Sequence, residues 1–175
     1  VLHNVIVAAR KDPKVHRRSL DWLERCRAKN LPIYGQTGTH RTGFAFTLEH
    51  WNLYDASPAW REMTTGSKTE KLSKMKNPAL REAIKRETEA ADRKLQVIQA
   101  GVGGPIPGLI VQTANDQPEL EKYIGLSVGQ IAEAESKDPL DVMLDLSLAG
   151  DLNVEFLGPD RGFNAVHTAE MINDS

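Results

Sequence analysis

The pattern of strand, helix and strand in residues 2–36 constrains the fold more than any other feature of the chain. Residues 2–9, LHNVIVAA, form a nearly continuous apolar run, which is typical of a parallel strand buried on both faces. An amphipathic helix is predicted for residues 14–29, with Asn30 as its left-handed end. Residues 31–36 form the next predicted strand. Because the connections are short, the three elements predict a right-handed βαβ unit and a parallel sheet.

In the next segment, three helix-start signals follow one another and the alternation of strand and helix stops. Ser57 and Asn77 each precede a proline, and Ser67 with Glu70 has the spacing of a capping box. No strand pattern separates these starts, and the helical content is too large for an ordinary connection between a strand and a helix. We therefore expect residues 55–100 to form a helical insertion within a single partial α/β domain that spans residues 1–175.

The last third of the chain alternates short strands with capped helices. Residues 109–114, LIVQTA, predict a strand, and Ser127 with Gln130 predicts a capping box at the start of a helix. Asp138 before a proline predicts the start of a second helix. Residues 154–157 then predict another short strand.

Composition and charge exclude several classes of protein. With 40% apolar residues among 175, the chain has enough apolar side chains for a core, and its single cysteine, Cys26, is expected to be buried. Residues 1–94 carry 19 Lys and Arg against 11 Asp and Glu, whereas residues 95–175 carry 3 against 13. The basic part lacks interleaved aromatic residues, which disfavours nucleic-acid binding. No apolar run approaches about 18 residues and no leader is visible, so we expect a cytoplasmic protein without a membrane partner.

The histidines do not form a local metal-binding motif. None of the five is paired at the spacing H-x-H or H-x-x-x-H, so a self-contained metal site is not predicted. His16 falls on the polar side of the predicted helix and is expected to be solvated, and His167 has no local partner. His3 has two interpretations: a metal ligand that points into a barrel mouth, or a core imidazole bonded to backbone.

Polar residues after the second predicted strand are the best candidates for ligand binding. Gln36, His40 and Arg41 lie at or just beyond the carboxyl end of that strand, where parallel α/β sheets bind their ligands. An arginine at this edge can bind a carboxylate through two parallel N–H bonds. The alternative is a structural loop that packs on the inserted helices.

Three blocks of the sequence resemble the D-aminoacylase or N-acyl-D-amino-acid deacylase branch of the amidohydrolase superfamily. They are LPIYGQTGTHRTG after the helix LDWLERCRAKN, SPAWREMTTGSKTEKLSKMKNPALREAI, and YIGLSVGQIAEAESKDPLDVMLDLSL. Their order and spacing match over nearly the whole chain. The resemblance implies part of a (β/α)8 TIM-type barrel, with a bound zinc ion that assists hydrolysis of the amide bond of N-acyl-D-amino acids.

The resemblance also implies that this sequence is an internal segment of a longer enzyme. The family's early H-x-H strand and its late S-D-x-G-A-H motif, which carries the catalytic aspartate, are absent. By the same resemblance His3 would be a metal ligand, and His40, Arg41 and Gln36 would contact substrate. We expect the segment alone to be inactive, to bind no zinc, and to associate with itself or with the remaining parts of its parent chain.

Two other interpretations stay open. One is a different amidohydrolase that acts on cyclic amides, of the hydantoinase or dihydroorotase type. The other is a non-catalytic α/β module that binds a partner or an anionic ligand, which the uneven charge would favour.

Overall fold

A computed structural model describes the chain as a mixed α/β protein, over residues 1–6, 15–37, 44–50, 53–90, 105–114, 117–158 and 165–173. The strands are β1 (Leu2–Ile6), β2 (Tyr34–Thr37), β3 (Phe44–Phe46), β4 (Ile110–Thr113) and β5 (Glu155–Gly158). The α-helices are α1 (Val15–Ala28), α2 (Pro58–Thr64), α3 (Lys68–Met75), α4 (Pro78–Ala90), α5 (Val128–Glu135), α6 (Pro139–Ala149) and α7 (Ala165–Asn173). Short 3₁₀ segments cover Leu53–Ala56, Ile106–Gly108 and Pro118–Tyr123.

The chain divides into two units. The first unit comprises residues 1–42 and 160–175, and the second comprises residues 43–159. The second unit contains the predicted insertion at residues 55–100 and extends beyond it on both sides. The predicted single partial barrel of residues 1–175 stays a prediction.

The first unit contains the predicted βαβ pattern. Strands β1 and β2 pair in parallel, with His3 opposite Gly35, and α1 connects them in the sequence. Asn30 follows α1 with a φ of 54°, which confirms the predicted left-handed end of the helix. The described part of the first strand, Leu2–Ile6, is shorter than predicted, because residues 7–9 lie outside the described residues.

Helix α1 packs on one face of this sheet. A Cβ atom added at Gly35 would lie 2.6 Å from the Cδ1 atoms of both Ile6 and Leu23, so glycine permits the close approach of strand and helix. The His3 ring lies 4.9 Å from the Trp22 ring, centroid to centroid. His3 and Gly35 therefore belong to the face that α1 covers.

The opposite face of the sheet carries exposed side chains. Leu2 pairs with Tyr34, and alternation along the strands places Leu2, Tyr34 and Gln36 on the face away from α1. Leu2 and Tyr34 are 62% and 68% exposed. Because parallel sheets are ordinarily covered on both faces, we expect this face to pack against another layer of protein.

Three consecutive helices follow β3 and the first 3₁₀ segment in the second unit, and the predicted helix starts are confirmed. The side chain of Ser67 and that of Glu70 form the predicted capping box of α3. Asn77 accepts a hydrogen bond from the Ala79 N–H at 2.9 Å before α4. Within the described residues no strand interrupts α2, α3 and α4, as the predicted insertion requires.

The predicted side-chain cap of α2 is wrong, although the helix begins where it was expected. Ser57 precedes α2, but its side chain accepts no hydrogen bond from the helix. The Ser57 hydroxyl instead donates to the carboxylate of Glu87 on α4. Glu87 also accepts from the Ala59 N–H, at 3.1 Å and 3.2 Å to its two oxygens. A remote carboxylate therefore takes the place of the local cap.

The sheet of the second unit is antiparallel, in the order β3, β5, β4. Phe46 and Val111 both pair with Phe156 of the central strand. The predicted strands near residues 109–114 and 154–157 are thus confirmed as strands. Strands of a (β/α)8 barrel run parallel, and the described strands form two separate small sheets rather than a closed barrel.

Capped helices and a buried core complete the second unit. Ser127 and Gln130 form the predicted capping box of α5, and Asp138 accepts from the Leu140 N–H at 2.8 Å before α6. Phe156 of the central strand is completely buried. The largest side chains that share this core include Trp60, Leu48, Met63, Met75 and Ile84.

Ion pairs link α4 to α6 beside this core. Arg81 contacts Asp141 at 3.0 Å and Asp145 at 2.8 Å, and Lys85 contacts the other oxygen of Asp141 at 2.7 Å. Desolvation raises the pKa of Asp141, but hydrogen bonds from Lys85 and Arg81 outweigh it and lower the pKa below its ordinary value. The pKa of Lys85 is raised, chiefly by its hydrogen bond to Asp141.

Candidate functional site

Of the predicted substrate-contacting residues, the structure describes Gln36 alone. Gln36 lies on β2 and is exposed, and it belongs to the sheet face opposite α1. His40 and Arg41, which follow in the sequence, lie outside the described residues. The predicted contact of Gln36 with a ligand remains a prediction.

The predicted metal ligand, His3, lies on the other face of the sheet. Its imidazole contacts the indole of Trp22 on α1. His3 pairs with Gly35, the residue before Gln36, and alternation along the strands therefore places His3 and Gln36 on opposite faces of the sheet. In a barrel the helices cover the outer face of the strands, so a side chain packed on α1 points away from the barrel mouth. Gln36 and His3 therefore do not share a target.

The described residues do not fit a zinc site. Zinc in proteins is ordinarily held by three or four His, Cys, Asp or Glu side chains. Across the described ranges no group of three or more such side chains is arranged to hold a metal ion. Neither His3 nor any described neighbour of it supplies that set.

The structure reveals a polar cluster between α1 and α7, centred on a buried histidine, that the sequence did not predict. The prediction that His16 is solvated is wrong, since its side chain is completely buried. The Nε2 atom of His16 lies 3.3 Å from a carboxylate oxygen of Glu170, and Arg17 contacts the other oxygen of that carboxylate. The ring of His167 lies 5.7 Å from that of His16, centroid to centroid.

The physical reason for the burial of His16 is its pairing with a distant segment. His167 and Glu170 are three residues apart on α7, so they share one helix face, and that face meets the first turn of α1. Helical periodicity in residues 14–29 places His16 among charged neighbours and carries no information about a helix 150 positions later. The spacing of His167 and Glu170 is the one signal in the sequence that marks this face.

An open groove of about 1050 Å³ lies beside this cluster in the first unit. Apolar side chains line part of it, including Leu20, Leu23, Ile33 and Met171. The charged side chains that line it are Arg17, Arg27, Asp21, Glu24 and Glu170. Among the described lining residues the acidic groups outnumber the basic ones, so these residues give the groove no positive excess that would attract an anion. Gln36 does not line it.

Buried polar side chains in the second unit are used for structure. The Thr64 hydroxyl donates to the carboxylate of Asp55 and to the Trp60 carbonyl oxygen, the latter at 2.8 Å. Asp55 is 7% exposed and Thr64 is 5% exposed. These contacts fix the first 3₁₀ segment against α2 and give the buried Asp55 carboxylate a hydrogen-bond donor.

Comparisons with known proteins do not identify a relative: no family model matches the chain, and no curated protein or solved structure is significantly similar to it. Among the described helices, none combines the length and the apolar character needed to cross a membrane.

Proposed function

We propose that the chain is a segment of a metal-dependent amidohydrolase that hydrolyses the amide bond of N-acyl-D-amino acids. In this proposal β1, α1 and β2 form part of the wall of a (β/α)8 barrel, and α2, α3 and α4 belong to a helical insertion. The proposal rests on the resemblance of the three sequence blocks. The parallel pairing of β1 and β2 around α1 is the observation that supports it most directly.

The orientation of β2 supports a substrate-contacting role for Gln36. In a barrel the face away from the helices is the interior, and Gln36 is exposed on that face of the sheet. Its amide can donate to a carboxylate or accept from an amide N–H. Arg41, five residues further along the chain, would bind the substrate carboxylate, and His40 would contact the same ligand.

In this proposal zinc is bound by the longer enzyme and not by this segment alone. Because the described residues do not fit a zinc site, the metal would be held by other parts of that enzyme. His3 as a ligand would require its imidazole on the interior face, whereas its ring packs against Trp22. The metal ligands and the catalytic aspartate are expected in the H-x-H and S-D-x-G-A-H motifs, which this sequence lacks.

The isolated chain and the longer enzyme give different expected results in the same assay. Purified alone, the chain should hydrolyse no N-acyl-D-amino acid and hold no stoichiometric zinc, as measured by product release and by elemental analysis. The longer enzyme should hydrolyse N-acyl-D-amino acids in preference to their L-enantiomers and to hydantoins or dihydroorotate. One tightly held ion per isolated chain would contradict the first expectation, and a preference for cyclic amides would favour the hydantoinase or dihydroorotase alternative.

A non-catalytic module is the second candidate, and the open face of the sheet favours it. Leu2 and Tyr34 form an exposed apolar pair there, as expected for a surface that associates with a second copy or with another part of a parent chain. If the open reading frame encodes neither the H-x-H nor the S-D-x-G-A-H motif on either side of this segment, the enzyme proposal fails. The proposal of a non-catalytic module is then favoured. Sedimentation analysis of the purified chain measures its self-association directly.

A further inference from the structure

We draw no further inference here: the strongest candidate, the side-chain cluster of His16, His167 and Glu170 between α1 and α7, carries nothing because its members are not arranged, within the described residues, to hold a metal ion and neither histidine lines the groove beside it.

Discussion

Replacement of Glu87 by alanine tests how the first turn of α2 is held. Glu87 accepts hydrogen bonds from the Ser57 hydroxyl and from the Ala59 backbone N–H. Ser57 is 2% exposed, so the variant leaves a buried hydroxyl and an early helical N–H without their acceptor. A hydrogen bond to a charged group contributes about 1.5–3 kcal/mol. Because Glu87 is partly exposed, we take the lower end for each bond and expect the free energy of unfolding to fall by about 3 kcal/mol.

Companion variants separate the two hydrogen bonds. Ser57→Ala removes the hydroxyl but leaves Glu87 bonded to the Ala59 N–H, so we expect a loss of about 1.5 kcal/mol. The double variant should cost no more than Glu87→Ala alone, which makes the two changes non-additive by about 1.5 kcal/mol. Glu82→Ala is the matched control on the same helix: its side chain is 59% exposed and forms an ion pair with Lys85, so we expect a loss of less than about 0.5 kcal/mol.

Urea unfolding followed by circular dichroism measures all four variants, with the free energy taken from linear extrapolation. A free energy of unfolding for Glu87→Ala within about 0.5 kcal/mol of the unmodified chain would refute the remote cap. A double variant whose loss equals the sum of the single losses would also refute it, because the two changes would then act independently.

Two further predictions concern the second unit. The ion pairs that lower the pKa of Asp141 stabilise the folded state fully above the ordinary aspartate pKa of about 3.9, and this contribution is lost as the pH falls through the lowered pKa. The urea midpoint should therefore drop as the pH falls below about 3.9, and less so in Asp141→Asn. An added Cβ at Gly129 would lie 2.8 Å from the backbone oxygen of Pro107, so Gly129→Ala should lower the free energy of unfolding by about 1–3 kcal/mol. A rise in the free energy of unfolding by about 1 kcal/mol, as expected for an unhindered helical glycine, would show that the Pro107 oxygen does not approach Gly129 this closely.

Local chemistry explains why many helix and strand positions could be predicted. A capping box such as Ser67 with Glu70, or an aspartate followed by proline, satisfies backbone groups within one turn, so the residues that decide it are adjacent in sequence. Asn30 ends α1 for the same reason, because asparagine tolerates the left-handed conformation. The parallel pair β1 and β2 follows from the short connections around a single helix.

Contacts between distant segments explain what the sequence did not predict. His16 is buried because α7 covers it, and Ser57 is bonded to Glu87 because α4 lies beside the start of α2. The antiparallel order β3, β5, β4 likewise joins strands more than 40 residues apart, and no local pattern specifies those pairings. For the candidate site, the sequence placed Gln36 at a strand end correctly but could not give the face on which His3 lies.

Substrate kinetics of the proposed longer enzyme test the proposed substrate contacts of Gln36 and Arg41 most directly. Gln36→Ala and Arg41→Ala should each raise KM for an N-acyl-D-amino acid by about tenfold, which corresponds to one lost hydrogen bond to a charged group, while zinc content stays unchanged. The matched controls are Gln112→Ala on β4 and Arg86→Ala on α4, both exposed, and their KM should remain that of the unmodified enzyme. Unchanged kinetics in both edge variants, or an equal rise in the controls, would contradict the placement of this sheet face toward the substrate.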